Sequence, residues 1–276
     1  MLERTNGHHL AVDPFMKWAG GKRWLFKRYR SLFPERIKRL VDPFIGGGSS
    51  FFLLQPDSAL LGDLNRDLIE IYECVRAFPY ELARRLAVYQ KNHGPEFYYT
   101  VRAQRPRQKV ARAARLLYLN RTCWNGLFRV NLKGEFNVPL GTKSKVLTSV
   151  DEFVEPSRAL SRAEFYSTDF SLLIRKAGQG DVVFADPPYF DTYKKNNRFL
   201  KYNKSIFSWE DQLRLCADLL DAQSRGAKCF VTNSNNRGLI DIYRNHGLIR
   251  VLRRHSVLAG EAWARRKSGE ILVELA

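Results

Sequence analysis

The chain is 276 residues long, enough to bury a substantial core without help from a partner. Its 46 Lys and Arg against 28 Asp and Glu leave a formal charge of +18, spread along the chain rather than gathered in a tail. That balance suits a polyanion binder, though a ribosomal-type or membrane-surface protein would show the same sum, and it argues against a partner of like charge. Four scattered cysteines, Cys74, Cys123, Cys216 and Cys229, form neither a C-x-x-C pair nor a mixed Cys/His spacing, so neither a disulfide framework nor a metal site is expected. No run of about 18 apolar residues appears, and the N-terminus lacks a charged-then-apolar signal pattern. The expected compartment is the cytoplasm, with no membrane partner, and His8 and His9 read as solvated residues of a polar arm.

Residues 15–22 read F-M-K-W-A-G-G-K and lead into a mixed basic and apolar segment with the pattern of a helix closed by Pro34. The Gly-Gly-Lys is not a nucleotide-phosphate loop, because Arg23 stands where Ser or Thr is required and no glycine opens the loop. Two glycines beside Lys22 still allow backbone N–H groups close to an anionic group. Residues 39–44, R-L-V-D-P-F, read as a strand running into the turn Ile45-Gly46-Gly47-Gly48 and an apolar helix start at 51–54. Strand, glycine turn and helix is the arrangement with which the first βα loop of a nucleotide-binding α/β fold admits a ligand. A second strand, 59–62, ends at Asp63, less than ~20 residues after the glycines, near the interval at which an acidic residue meets ribose hydroxyls. Asp63 would serve equally as the N-cap of the helix that follows.

From residue 69 to about 121 the pattern turns helical and basic, over an interval too long for a βα loop, and predicts an inserted helical subdomain. Residues 120–141 follow, N-R-T-C-W-N-G-L-F-R-V-N-L-K-G-E-F-N-V-P-L-G. Alternation of Phe128, Val130 and Leu132, then Lys133-Gly134, then Phe136 and Val138, predicts a β-hairpin. With Trp124 ahead of it and Arg129 and Lys133 on it, such a hairpin can enter a groove and read a base edge, or it can be an ordinary surface hairpin with a packed tryptophan.

The sheet resumes at 164–169 after a predicted helix over 150–160. Residues 181–189 read D-V-V-F-A-D-P-P-Y. The apolar run predicts a buried parallel strand, and Asp186-Pro187-Pro188-Tyr189 stands at its carboxyl end, where open α/β sheets bind ligands. The prolines fix φ and lack N–H donors. A carboxylate beside a free carbonyl therefore makes an acceptor pair for an amine, with a tyrosine able to stack on a flat ring. A strand ending in a Pro-Pro turn, with Asp186 capping a helix, is the plainer alternative. Residues 190–207 alternate aromatic and basic side chains, as a flap ordering on a phosphate backbone would. A helix from Ser208 to about Ser224, a strand 228–232 ending in Asn233-Ser234-Asn235, and closing strands 248–257 and 270–275 around a basic loop complete the reading.

The pieces K-W-A-G-G-K, D-P-F-I-G-G-G-S, G-D-L-N and D-P-P-Y stand in an order that resembles the Dam-type DNA adenine-N6 methyltransferases, from about residue 17 to residue 275. The resemblance implies an α/β fold: a Rossmann-like methyltransferase sheet with helices on both faces, plus the inserted helical DNA-recognition subdomain with its hairpin. The catalytic domain would comprise 1–68 and 148–276, and the target-recognition subdomain 69–147. S-adenosylmethionine is the implied cofactor, held by Trp18, Lys22, Phe44, Gly46, Gly48, Asp63, Tyr166, Asp169 and Asp186. Asp186 and the Pro187 carbonyl would accept hydrogen bonds from the target amine while Tyr189 stacks on the base. Double-stranded DNA is the implied partner, contacted by Lys17, Trp124, Asn125, Leu127, Arg129 and Pro139, with GATC as the implied site. Thr142, Lys143 and Lys145 depart from relatives that carry an arginine directly after the glycine. The resemblance allows monomeric action and a paired restriction endonuclease. Competing readings are a catalytically idle DNA-binding protein and a methyltransferase acting on RNA or a protein amide.

Overall fold

A computed structural model describes residues 12–189, 207–253 and 269–275. Residues 190–206 of the flap expected over 190–207, the basic loop at 261–267, and His8 and His9 lie outside the described residues. The first half of the described chain runs α1 (Arg23–Arg28), β1 (Arg39–Asp42), α2 (Ser49–Leu54), β2 (Ser58–Gly62), α3 (Arg66–Ala77), α4 (Pro79–Asn92), α5 (Pro95–Ala103) and α6 (Lys109–Thr122). There follow α7 (Val154–Leu160), β3 (Ala163–Tyr166), α8 (Phe170–Ile174), β4 (Asp181–Ala185), α9 (Trp209–Ser224), β5 (Lys228–Ser234), α10 (Arg237–Tyr243), β6 (Gly247–Arg253) and β7 (Gly269–Leu275). The α/β fold is therefore as expected, with a single seven-stranded sheet in the order β3-β2-β1-β4-β5-β7-β6.

That order has a physical consequence for where a ligand can sit. β1 pairs parallel to β4, with Val41 opposite Val183, and β4 pairs parallel to β5, with Phe184 opposite Phe230. The chain builds outward from β1 in one direction and from β4 in the other, so the order reverses between them. Loops leaving two such strands diverge and open a crevice at their carboxyl ends. Every residue of β4 is buried, as a continuous apolar run in a parallel sheet demands. At the opposite ends of the strands, Arg39 clamps Asp181 through two bonds of 2.8 and 2.5 Å and also bonds the Lys176 carbonyl. β7 runs antiparallel to both β5 and β6.

Two compact units emerge. One comprises the described parts of Met1–Arg36, Ile45–Ala59 and Asn65–Ser167; the other comprises Ile37–Phe44, Leu60–Leu64 and the described parts of Thr168–Ala276. Helix boundaries follow local chemistry. Asn65 caps α3 by accepting from the Asp67 and Leu68 amides, so the capping role open to Asp63 belongs to its neighbour two residues on. Pro79 and Pro95 open α4 and α5 at the first-turn position that tolerates proline. Ser208 and Asp211 form a reciprocal capping box that starts α9. No described helix is long and apolar enough to cross a membrane.

The segment 120–141 differs from a regular hairpin. Residues 120–122 complete α6, and Trp124–Gly126 form a single 3₁₀ turn. The two arms beyond meet through isolated antiparallel bridges, Cys123 with Leu140 and Val130 with Phe136, rather than a continuous ladder. Backbone bonds cross from the Asn137 N–H to the Arg129 carbonyl at 3.1 Å and from the Asn131 N–H to the Glu135 carbonyl at 2.8 Å, and side chains add to them. The Val138 carbonyl accepts from the Tyr98 hydroxyl at 2.9 Å and from Arg102 at 3.3 Å, both on α5, and the Asn137 carbonyl accepts from Arg129.

Candidate active site

In the second unit, three of the expected residues stand around the carboxyl end of β4. Asp186 follows the last residue of the strand, and its Oδ1 accepts from the Thr232 hydroxyl of the neighbouring β5 at 2.7 Å. Thr232 is 1% exposed and also hydrogen-bonds Tyr189, so a buried group links the carboxylate and the phenol from beneath. Tyr189 donates to Glu270 of β7 at 2.9 Å. Burial, with the charges of Asp186 and Glu270 adding to it, pushes the phenol well above its ordinary value, so it stays protonated and keeps donating. The Pro188 carbonyl meets the Gln212 amide of α9 at 3.5 Å, and the carbonyl end of that amide accepts from Asn233 of β5 at 2.9 Å. Gln212 and Asn233 are almost wholly buried, so the D-P-P-Y turn rests on a fixed polar platform. Asp186 caps no helix among the described residues.

Phe44 and Asp169 lie in the same unit, Phe44 just beyond β1. Its ring packs against Phe170 at 5.5 Å and Phe207 at 5.6 Å, forming an aromatic cluster. Asp169 is the N-cap of α8 and accepts from the Ser171 amide, while both its oxygens take Arg214 of α9 at 2.8 and 3.0 Å. Burial raises the Asp169 pKa, but the bonds from Arg214 and Ser171 outweigh it and hold the carboxyl below its ordinary range. The Arg214 guanidinium lies 4.2 Å over the Phe170 ring and also bonds Asp211, so one cation ties the start of α8 to the start of α9. Asp63, half-buried at the end of β2, also belongs to this unit.

The first unit brings the glycine turn and K-W-A-G-G-K together. Gly46 and Gly48 adopt φ of +48° and +76°, the left-handed region in which only glycine is unstrained. A Cβ at Gly46 would lie 2.8 Å from Trp18 Cδ1, and one at Gly48 would lie 2.8 Å from the Tyr72 hydroxyl oxygen. Tyr72 of α3 donates to the Gly46 carbonyl at 2.8 Å, which pins the turn. Lys22 is 3% exposed, with its ammonium donating to the Gly20 carbonyl at 2.6 Å. Tyr166, at the end of β3, is half-exposed and donates to Glu164 at 2.5 Å.

The expected DNA-contacting residues also meet in the first unit. Asn120 brackets Lys17 by accepting from its N–H at 3.1 Å and donating to its carbonyl at 2.8 Å, and it donates to the Gly126 carbonyl at 3.1 Å. The Lys17 stem therefore runs over Gly126, where a Cβ would come 2.9 Å from Lys17 Cδ. Partial desolvation, then the hydrogen bond and charge of the adjacent Lys143, push Lys17 down to about 8. Trp124 is 54% exposed and Asn125 takes φ of +54°, a conformation asparagine tolerates better than most residues. Leu127 is half-buried and Pro139 exposed. Asn137 holds Arg129 through Nε at 2.7 Å and Nη2 at 3.2 Å, leaving Nη1 without a partner among the described residues. The Trp18 indole stacks on Phe128 at 5.5 Å and 26°, so one ring joins the glycine turn to the start of this segment.

Sequence reasoning missed Thr232, Gln212, Glu270, Arg214, Tyr72 and Asn120. Only two carried a signal: Thr232 adjoins the polar cluster at the end of β5, and Asn120 heads the 120–141 segment. The others are polar residues on helix or strand patterns whose partners lie tens of residues away.

The family described as D12 class N6 adenine-specific DNA methyltransferase matches residues 18–257. The chain is 33% identical over 247 residues to the Type II methyltransferase M1.LlaDCHI of Lactococcus lactis subsp. cremoris, covering 85% of each. It is 32% identical over 262 residues to the DNA adenine methylase of Escherichia coli K12, covering 94% of this chain and 93% of that one. Identity reaches 38% over 235 residues with the DNA N-6-adenine-methyltransferase of Escherichia phage P1, where the match covers 83% of this chain and 31% of the phage protein. A strand-end acceptor site and a glycine turn in these positions, with matches that span nearly the whole chain, lead to one conclusion: the chain belongs to the D12 class of N6 adenine-specific DNA methyltransferases.

Proposed function

We propose that this enzyme transfers the methyl group of S-adenosylmethionine to N6 of an adenine flipped out of duplex DNA, within the sequence GATC. The observation that carries the reading is Asp186 held by Thr232 at the reversal point of the sheet, with Tyr189 fixed beside it by Glu270. Adenine N6 is a poor nucleophile because its lone pair is delocalised into the ring. Asp186 and the Pro187 carbonyl, accepting its two N–H groups out of the ring plane, favour a pyramidal nitrogen whose lone pair can attack in line. Bound S-adenosylmethionine would supply the electrophilic sulfonium methyl, and the proton lost by the amine would leave along its hydrogen bond to Asp186. Tyr189 stacks on the base.

The class generally uses this cofactor, and the residues fit it. Gly46 and Gly48 leave a bare backbone against which Trp18 and Tyr72 pack closely, and buried Lys22 stands in the same unit. Trp18, Lys22, Gly46, Gly48 and Tyr166 are assigned to the cofactor in the first unit, and Phe44, Asp63, Asp169 and Asp186 in the second. Residues 69–147 are assigned to target recognition. A base stacked in the duplex cannot reach Asp186, so it must be extruded at a cost of a few kcal/mol. Trp124, which is exposed, and Asn125 are assigned to filling the gap it leaves. Lys17, Leu127, Arg129 and Pro139 read the remaining bases. The enzyme acts as a cytoplasmic monomer.

The test is labelled-methyl transfer to duplexes that differ at single positions of GATC, repeated at several salt concentrations because the high positive charge adds sequence-independent affinity. Preference for RNA, or equal transfer to every adenine-containing duplex, would overturn the reading. Arg129→Ala should lose roughly 1–3 kcal/mol of discrimination at one position while other positions stay selective. Unchanged selectivity would remove Arg129 from base reading.

Lys17 adds a pH dependence. A lysine gives a guanine edge a strong, charge-assisted bond only when protonated, and this one is lowered to about 8. DNA affinity should therefore hold below pH 8 and fall above it, by up to about tenfold per pH unit as a proton must be taken up on binding. Lys143→Ala removes the repelling neighbour, so the fall should move to higher pH even though a cation is lost. Binding measured from neutral to alkaline pH at constant ionic strength would settle it, and identical profiles for the two proteins would dismiss the coupling.

A further inference from the structure

Leu132 is 102% exposed, beyond the exposure of an extended-chain reference, and it stands at the tip of the 120–141 segment. Its companions in the alternating pattern are engaged. Phe128 lies between Trp18 and Phe136, and Val130 bridges Phe136. The turn that carries Leu132 is braced from several sides. The Asn131 side-chain oxygen accepts from the Lys133 and Glu135 amides at 2.9 and 3.0 Å, and its amide donates to the Glu135 carboxylate at 3.0 Å. The Asn131 N–H bonds the Glu135 carbonyl at 2.8 Å, Gly134 supplies the φ of +73° that closes the turn, and Arg105 pairs with Glu135 at 3.1 Å.

A braced turn that displays an aliphatic side chain contributes nothing to the core, but it has little freedom left to lose when a partner arrives. The edges of a DNA duplex offer one apolar group, the 5-methyl of thymine in the major groove. Lys133, next in sequence, can meet a phosphate without regard to sequence. Leu132 lies three residues beyond Arg129, at most about 10 Å along the chain. That distance is about three base pairs at ~3.4 Å each, enough to leave a four-base site.

We propose that Leu132 contacts the 5-methyl group of a thymine flanking the target sequence, giving the enzyme a preference for its flanking base pairs. The proposal rests on the reading of 120–141 as the DNA-recognition segment.

The experiment compares the full-length enzyme with Leu132→Ala on duplexes that hold one target adenine and vary each flanking pair, with thymine replaced in turn by deoxyuracil, which lacks only the methyl. The wild-type enzyme should lose about fourfold in kcat/KM at one flanking position when that methyl is removed. Leu132→Ala should show no such loss there, and Leu132→Ile should retain most of it. A wild-type enzyme indifferent to every thymine-to-uracil change would overturn the proposal, as would a methyl preference that survives in Leu132→Ala. An equal loss on all duplexes would also overturn it, pointing to a wedge between base pairs instead. Arg129→Ala run in parallel separates the two levels. Normal selectivity in that variant sinks the recognition-segment reading itself, whereas altered selectivity there, with Leu132 silent, sinks only the present inference. Leu132 makes no contact that the fold needs, so unchanged thermal unfolding is the expected control.

Discussion

Replacing Asp186 by alanine should lower methyl transfer by roughly 10³-fold, the scale on which one preorganised electrostatic group acts in a water-poor site. Duplex binding should stay mostly intact, because Lys17, Trp124, Leu127 and Arg129 belong to the other unit. The substitution has a structural cost that must be separated from the chemical one. Thr232 is 1% exposed and donates to Asp186, so alanine removes a buried hydrogen bond to a charged group and should cost about 1.5–3 kcal/mol of stability. Asp186→Asn retains an acceptor for Thr232 and should preserve stability, while losing transfer because the neutral amide is a weaker acceptor for the amine. Labelled-methyl transfer in a single turnover, with duplex affinity and thermal unfolding measured beside it, distinguishes the cases. If both variants lose transfer and duplex binding in step, Asp186 holds the fold rather than the reaction.

Much of this site was legible in the sequence because its backbone signals are local. An apolar run of Val182, Val183, Phe184 and Ala185 followed by two prolines can hardly be anything but a buried strand stopping abruptly, and β4 is that strand. The glycines after β1 likewise announce a turn that a side chain would obstruct. The supporting layer was not legible. Gln212 looks like any polar position on an amphipathic helix, and only the packing of α9 against β5 turns it into a buried link between Asn233 and Pro188. Glu270 reaches Tyr189 across 81 residues of chain. The expectation of a regular hairpin over 120–141 came from real alternation, but alternation reports which side chains face inward and not which backbone groups pair. The arms share an isolated bridge and a few backbone bonds, and Tyr98, Arg102 and Arg129 bond the Val138 and Asn137 carbonyls.

Trp18 is where local and distant information meet, and Gly46→Ala exposes the connection. The family resemblance assigns both residues to the cofactor, but the sequence cannot show that the indole lies against the turn on one side and Phe128 on the other. An alanine Cβ at position 46 would come 2.8 Å from Trp18 Cδ1, so the ring must move toward Phe128 or the turn must open. Alanine at φ +48° also carries about 1–2 kcal/mol of backbone strain. Because opening the turn would pull the Gly46 carbonyl from Tyr72, the indole is the part expected to yield. Affinity for S-adenosylmethionine should then drop by at least about tenfold, the equivalent of ~1.4 kcal/mol, with a smaller loss of sequence discrimination passed on through Phe128. Gly180→Ala supplies the control: its φ of +83° imposes similar strain, but a Cβ there would meet nothing within 4 Å. Both variants should lose comparable stability, and only the first should lose cofactor affinity by calorimetry. Equal cofactor affinity in the two would mean that the turn is shaped for the fold alone and that Trp18 answers to Phe128 rather than to the cofactor.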